Sequence, residues 1–549
     1  MLEELKNIIK GEVSSSDEEL SAYSRDASIF EVKPQLIVKP KDADDIKNLV
    51  KFVAEHKSSN PNLSITARAG GSDMTGGPLN ESIILDLTAH MRRILNVEDA
   101  PPHAVVEPGV FYRDFEQETL KKGLLLPSYP ASRELCAVGG MVANNAGGEK
   151  SLRYGKTEHY VEELNVILSD GNEYALKPLT AGELEQKKKQ DNFEGGIYRK
   201  IYGLLEANYE LIRKAKPDVS KNSAGYALWD IYWSDQSRFD LTKLFVGSQG
   251  TLGVITKIKF RLIKPAKYSQ LLVIFLKDLN QIGDLAVDLN KYKPESMESY
   301  DDNTIKLVFK ILPDLIKKIG FGVLFRFIPD LWVIMTGGIP KLVVLTEFTG
   351  DDEKTANRKA RTAKSEIESK FKIRTRIVSS KADIQKYWTI RRESFNLLRK
   401  HVKGRKTAPF IDDIIVRPEH LSQFLPELNR ILYEYEDYMI YTIAGHPGDG
   451  NFHIIPLMDL SDEKSRKIIP ELSDKVYDLV IKYGGSITAE HNDGLIRTPY
   501  LEKMYGAQIY KLFEEVKNIF DPNNIFNPGK KVGGNIEYAI KHIKTGNSL

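Results

Sequence analysis

Cysteine is almost absent from this chain: Cys136 is the one example among 549 residues. A single thiol forms no intrachain disulfide, which suits a reducing compartment. It also cannot hold an iron–sulfur cluster, which takes about four ligands, mostly thiolates. Any redox chemistry therefore needs another cofactor. A dominant charge is missing too. Lys and Arg number 78 against 76 Asp and Glu, a net of +2, so no global basic field points to a nucleic-acid partner. No run reaches the ~18–20 uncharged apolar residues that span a bilayer. The acidic, amphipathic start Met1-Leu-Glu-Glu-Leu-Lys does not read as a signal peptide. These absences lead us to expect a cytoplasmic protein. The Walker and GxGxxG patterns are also lacking, so ATP and NAD are not indicated.

What is present suits an ordinary folded protein, with 41% hydrophobic and 28% charged residues. The length exceeds one hydrophobic core, so two or three domains are expected. Leu36-Ile-Val-Lys, Leu63-Ser-Ile-Thr-Ala and Ile83-Ile-Leu-Asp-Leu read as strands. Between the first two, Asp42 to His56 places Ile46, Leu49, Val50 and Val53 at helical spacing behind an acidic first turn. Leu164-Asn-Val-Ile-Leu precedes a turn at Asp170-Gly171, and Thr251 to Phe260 reads as turn and strand. Strands at Gln270-Leu-Leu-Val-Ile-Phe and Leu342-Val-Val-Leu-Thr-Glu-Phe, with helices between, mark a second α+β domain. The expected division is 1–31 helix and loop, 32–264 first domain, 265–500 second domain, 501–530 a segment returning to the first, and 531–549 a loose tail.

Three glycine-rich blocks stand out in the first half. Ala67-Arg-Ala-Gly-Gly-Ser-Asp-Met-Thr-Gly-Gly follows a strand, and its adjacent glycines let successive N–H groups converge on an anion. A plain Gly-rich turn is the competing reading. The second block runs Leu126-Pro-Ser-Tyr-Pro-Ala-Ser132, Gly139-Gly-Met-Val-Ala-Asn-Asn-Ala-Gly-Gly148 and Tyr154-Gly155. So long a run of Gly, Ala, Ser and Asn suits close approach of backbone to a flat, polar-edged ring such as a flavin. The third, Val246-Gly-Ser-Gln-Gly-Thr-Leu-Gly-Val-Ile-Thr, is again a tight turn into a strand.

The second half carries Gly445-His-Pro-Gly-Asp-Gly-Asn-Phe-His453. Asp449-Gly450 is a two-residue hairpin signal, which would set His446 directly opposite His453, ~4.5–5.5 Å apart at Cβ. Two imidazoles so placed converge on one metal ion. Ser486-Ile-Thr-Ala-Glu-His-Asn-Asp-Gly494 offers Glu490 beside His491. Both serve one site only if the chain turns there, as Asn492-Asp493-Gly494 allows. Two His and one Glu with open positions fit a catalytic Zn or Mn site. Ordinary polar loop residues are the competing reading.

Taken together, the three glycine-rich blocks and the ending Asp521-Pro-Asn-Asn-Ile-Phe-Asn-Pro-Gly-Lys530 resemble the FAD-linked oxidases of the vanillyl-alcohol oxidase and p-cresol methylhydroxylase type. The likeness is greatest to D-lactate, glycolate and D-2-hydroxyglutarate dehydrogenases. It implies an α+β fold with a two-subdomain FAD-binding domain, an α+β substrate (cap) domain and a C-terminal segment packing back on the first. It implies that Arg68, Ala69, Gly70, Gly71, Ser72 and Asp73 hold the FAD diphosphate. Ser132, Gly139, Gly140, Asn144, Asn145, Gly148 and Gly155 would line the flavin and ribityl chain, with Ile255 at the adenine end and Asn527 near the ring. No His or second Cys lies in the diphosphate loop, so the FAD is expected to be non-covalent. The same likeness assigns His446, His453 and Glu490 to a divalent metal and His491 to the base. In Tyr387-Trp-Thr-Ile-Arg391-Arg392, which resembles the family's Trp-x-x-Arg motif, Arg391 would grip the substrate carboxylate. Gln249 stands where relatives usually carry Glu, and Asn492 where they commonly carry Gly.

The implied activity is oxidation of a D-2-hydroxy acid to the 2-keto acid, with His491 taking the hydroxyl proton and the flavin the hydride. Phe410-Ile-Asp-Asp413 lacks the nearby Lys of relatives that bind a second carboxylate, which favours D-lactate over 2-hydroxyglutarate. Two alternatives stay open: a metal-independent sugar-lactone or alcohol oxidase on the same fold, and a non-catalytic electron-carrying flavoprotein subunit. The electron acceptor (a quinone, a cytochrome or an electron-transfer protein) is unidentified. Residues 305–336 are apolar, with Ile305, Val308, Ile311, Leu312, Leu315 and Ile316 in a helical stripe. They read either as core helices or as a peripheral contact with a membrane or partner.

Overall fold

The computed structural model describes residues 1–232, 237–306, 338–380, 382–391 and 404–545. Nearly all of the apolar segment at 305–336 lies outside these, as does Arg392.

Three sheets organise the described residues. The first holds β1 (Glu12–Ser14), β2 (Leu36–Lys39), β3 (Ile65–Arg68) and β4 (Ile83–Asp86) in the order β1-β2-β4-β3. The central pairings are parallel and β1 adds antiparallel at the edge. The segment before residue 32 therefore contributes a strand as well as helix and loop. The helix joining β2 to β3 runs Ala43–His56 and is capped by the Asp42 side chain, which accepts from the N–H groups of Asp44 and Asp45. Its predicted stripe of Ile46, Leu49, Val50 and Val53 is fully buried against this sheet. Each such side chain contributes about 1.5–3 kcal/mol.

The second sheet is antiparallel, in the order β5-β6-β9-β7-β8, from β5 (Ile94–Asp99), β6 (Pro102–Val106), β7 (Val161–Ile167), β8 (Glu173–Leu176) and β9 (Val254–Arg261). The small-residue run between β6 and β7, read from sequence as loop, contains a helix, Val138–Asn144. Its glycines let it pack closely: a Cβ on Gly139 would meet the Pro108 carbonyl oxygen at 2.7 Å.

The third sheet belongs to the second domain. It comprises β10 (Tyr268–Leu276), β11 (Ser296–Asp301), β12 (Leu342–Gly350), β13 (Arg374–Val378), β14 (Lys406–Thr407), β15 (Ile414–Ile415), β16 (Met439–His446) and β17 (Asn451–Met458). The order is β13-β10-β12-β11-β16-β17-β14, with β15 also on β17. Helices Ile282–Asn290, Glu353–Phe371, Leu421–Tyr433 and Glu463–Lys482 bury their apolar residues in this domain's core.

The C-terminal segment returns to the first domain as expected. Helix Ala507–Phe520 packs into the core of the second sheet. Beyond it, Phe526 pairs with Ile65 of β3: the Ile65 N–H donates to the Ile525 carbonyl, and the Asn527 N–H donates to the Ile65 carbonyl. The tail departs from expectation. Helix Ile536–Lys541 buries Ala539, and Ile543 bridges to Phe30, so residues up to 545 are tied to the chain's start rather than loose. Among the described residues no helix is long and apolar enough to cross a membrane.

Candidate functional site

The loop after β3 is built to present bare backbone. Asp73, which the sequence assigned to the diphosphate, is spent within the loop. Its carboxylate accepts from Thr75 N and Oγ1, Gly77 N and Asn144 Nδ2, at 2.7–3.0 Å. Among the described residues, the N–H groups of Gly70, Gly71 and Ser72 have no hydrogen-bond acceptor. Unpaired N–H groups on a cavity wall are costly unless something fills the cavity, and an anion suits them. Gly70 passes so near Leu135 that a Cβ would lie 2.4 Å from its carbonyl oxygen. The Arg68 guanidinium donates to the carbonyl oxygens of Tyr23 and Arg25 from the same wall.

One cavity of about 640 Å³ runs past this loop. Its wall includes Arg68, Ala69, Gly70, Gly71, Ser72, Asp73, Ser132, Gly139, Gly140, Asn144, Gly148 and Ile255 of the sequence-derived cofactor set. Asn145, Gly155 and Asn527 are not on it. Asn145 caps the Val138–Asn144 helix at φ +51° and its side chain pairs with Glu158. Gly155 ends the next short helix. Asn527 is fully buried, donating to the carbonyls of Gly77 and Gln249 and accepting from Thr66. It clamps the glycine-rich loops together from behind. Gln249 lines the cavity and accepts from the Gly494 N–H at 2.8 Å, linking the two domains.

The same cavity reaches His446, His453, Glu490, His491, Arg391 and Asp412. Both histidines sit on the β16–β17 hairpin, but its register differs from the sequence reading. The turn has four residues, 447–450, so His446 opposes Asn451 and His453 opposes Ala444. Pro447 does not join the ladder, and Gly450 at φ +78° passes so close to Val416 that no side chain fits. His446 lies two residues from Ala444 on one strand, so both imidazoles still share a face. Their Nε2 atoms stand 3.2 Å apart. Glu490 Oε2 is 3.7 Å from His446 Nε2.

Glu490 and His491 both point into the cluster because the chain wraps around a carboxylate instead of running as a strand. Asp413 Oδ2 accepts from the N–H groups of both residues at 2.7 Å and from Thr488 Oγ1 at 2.8 Å. Asn492 takes φ +70°, so it adopts the left-handed turn a glycine would allow. Asp412 receives both remaining imidazoles. Its two oxygens lie 3.1 Å from His453 Nδ1 and 2.7 Å from His491 Nδ1. Glu298 likewise takes His446 Nδ1 and, at 3.1 Å, Arg391 Nε. Sequence reasoning missed Glu298, Asp412, Asp413 and Lys221. The adjacent Asp412-Asp413 pair was the available signal.

The donor set fits a divalent cation. Nδ1 of His446 and of His453 each lies against a carboxylate, so their Nε2 atoms face one another beside Glu490. A proton on the His446 imidazolium bridges the two rings, and a divalent ion in its place would be ligated by both. Ligand atoms of Asp413, His453, Glu490 and His491 also fall within 4.8 Å of one another. Asp413 is occupied by backbone and side-chain donors, which makes it a scaffold for the loop. Charge follows the same geometry. Burial alone would pull the His446 and His491 imidazolium forms down, but neighbouring carboxylates outweigh it: Glu298 above all for His446, Asp413 and Asp412 for His491. Both rise to about 9. Burial would raise the Asp412 carboxyl, yet His491 and His453 hold it well below the carboxylate range. A cluster so rich in carboxylates is one that a cation completes.

Comparison with known proteins bears on the fold and the cofactor domain. Residues 34–176 match the model of an FAD binding domain, and residues 265–531 that of the C-terminal domain of FAD linked oxidases. The chain is 28% identical over 535 residues to a D-2-hydroxyglutarate dehydrogenase of Pseudomonas putida, covering 96% of this chain and 51% of that protein. It therefore spans about half the length of that relative. It is 27% identical over 500 residues to a D-lactate dehydrogenase of Archaeoglobus fulgidus, covering 90% and 91%. The fold matches the crystal structure of p-cresol methylhydroxylase with a TM-score of 0.67 at 16% identity, over 98% of this chain and 96% of that one.

Proposed function

Because this chain belongs to the FAD-linked oxidases of the vanillyl-alcohol oxidase and p-cresol methylhydroxylase type, we propose that it oxidises a D-2-hydroxy acid, D-lactate in preference to a dicarboxylate, to the 2-keto acid. One observation carries the reading. A single cavity joins the glycine-rich cradle to the histidine and carboxylate cluster, so a substrate held at one end lies beside a flavin held at the other.

In this scheme Arg391, on the wall, pairs with the substrate carboxylate through its planar fork. Asp412 Oδ2 lies 2.7 Å from His491 Nδ1; a divalent ion beside the ring would bring the imidazolium down from its raised value and leave Nε2 to accept the 2-hydroxyl proton. His446, His453 and Glu490 would hold a divalent ion, Zn or Mn, which makes a bound hydroxyl easier to deprotonate. Non-covalent FAD, on the unpaired N–H groups of residues 70–72, supplies the two-electron acceptor. The preference for D-lactate rests on the wall itself. Among the described residues, Arg391 is the one Lys or Arg that the second domain contributes, beside Thr304, Thr442, Ala444 and Ile455. Among the described residues, a second carboxylate would find no further Lys or Arg on that part of the wall. Turnover of D-lactate, glycolate and D-2-hydroxyglutarate with an artificial acceptor tests the choice. A kcat/KM highest for D-2-hydroxyglutarate would reverse it.

Arg391→Lys keeps a positive charge against Glu298 but loses the fork. Hydrogen bonds to charged groups contribute about 1.5–3 kcal/mol, so KM is expected to rise by about 10–100-fold with a smaller change in kcat. An unchanged KM would place the carboxylate elsewhere.

A further inference from the structure

Lys221 is the least explained charge near the site. It comes from the first domain, in the segment between helix Tyr209–Ala215 and the short turn Leu228–Asp230. Its side chain is 1% exposed. Nζ lies 2.6 Å from Glu490 Oε1 and 2.9 Å from Asp449 Oδ2. The neighbouring Ser220 hydroxyl donates to the other Asp449 oxygen at 2.8 Å. Asp449 belongs to the turn of the hairpin that carries His446 and His453. One lysine therefore ties the two-histidine hairpin to the loop that carries the carboxylate, and it does so from across the domain boundary.

The geometry has a chemical consequence for Glu490. A glutamate can ligate an ion through one oxygen or two. Here Oε1 is committed to an ammonium at charge-assisted distance, while Oε2 faces His446. We propose that Lys221 is a positioning residue that restricts Glu490 to one ligand oxygen and locks hairpin and loop in register, which keeps the open coordination positions a substrate needs. Three protein ligands with further positions free are what a catalytic metal site requires, and a two-oxygen Glu490 would close one of them. This inference rests on the metal reading of the site.

The test uses the full-length FAD-loaded protein with Co(II) and Zn(II). Chelator competition measures the metal constant, and the visible Co(II) spectrum reports coordination number. Lys221→Met preserves length and removes the charge. FAD content and circular dichroism report whether it folds. The expected result is weaker Co(II) bands as Glu490 becomes bidentate, with metal affinity raised by about 10-fold because a ligand oxygen is added and a repelling charge removed. Asp449→Asn loosens the same lysine and is expected to shift the affinity less, in the same direction. A metal constant and Co(II) spectrum unchanged in Lys221→Met overturn the proposal. Should that variant not fold, an unchanged constant in Asp449→Asn overturns it. Wild-type protein that binds neither ion would instead sink the metal reading itself.

Discussion

Replacing His491 by Ala is expected to leave FAD bound and to slow flavin reduction by the substrate about 10²–10⁴-fold, the usual contribution of a positioned base. The geometry explains why the loss should fall on chemistry. His491 touches the cavity and its Nδ1 lies 2.7 Å from Asp412 Oδ2, so under the proposed function Nε2 would be the proton acceptor. His453 stacks against it with ring centroids 5.0 Å apart, yet Asp412 holds that ring too, and its Nε2 faces His446. A neighbouring imidazole therefore does not replace the base. Stopped-flow reduction under anaerobic conditions measures the effect. Reduction at the wild-type rate by every active acid would remove His491 from the role.

Dialysis against a chelator is expected to leave a yellow protein that its substrate reduces at least about 100-fold more slowly, and Zn or Mn should restore the rate. The estimate follows from the several kcal/mol that an ion contributes by stabilising developing negative charge, at 1.4 kcal/mol per factor of ten. The proposed function ties this loss to three side chains. Without a cation the Nε2 atoms of His446 and His453, 3.2 Å apart, face each other next to Glu490. A sugar-lactone or alcohol oxidase on this fold would run unchanged in chelator. Persistence of full activity with no metal in the protein would therefore favour that alternative.

Much of the frame was legible because it is local. The helix Ala43–His56 follows from Asp42 and a stripe of four aliphatic residues, and strand Leu36–Lys39 matches its apolar run. The ligand motif was legible as residue types, but its geometry was not. A two-residue Asp449-Gly450 turn is the local expectation. The observed turn spans four residues, 447–450, and Gly450 is pinned to Val416, whose N–H donates to it and whose carbonyl leaves no room for a Cβ. The helix Val138–Asn144 was hidden by its composition, since glycine and asparagine are poor helix formers and tertiary packing overrides them. The residues that orient the ligands were hardest to see. Glu298 meets His446 across 148 positions, and Lys221 meets Glu490 across 269. Such pairs are products of topology, and no spacing rule reaches them. The tail was misread for a similar reason: its one helix gains its stability from contact with residues 28–31.

The central claim is that cradle and cluster form one site. Anaerobic mixing of the FAD- and Zn-loaded protein with a panel of D- and L-2-hydroxy acids tests it most directly. The prediction is bleaching of one flavin per chain by a D-acid, D-lactate foremost, with one equivalent of 2-keto acid formed. A protein that takes up no FAD, or whose flavin stays oxidised with every acid while metal is bound, would contradict it.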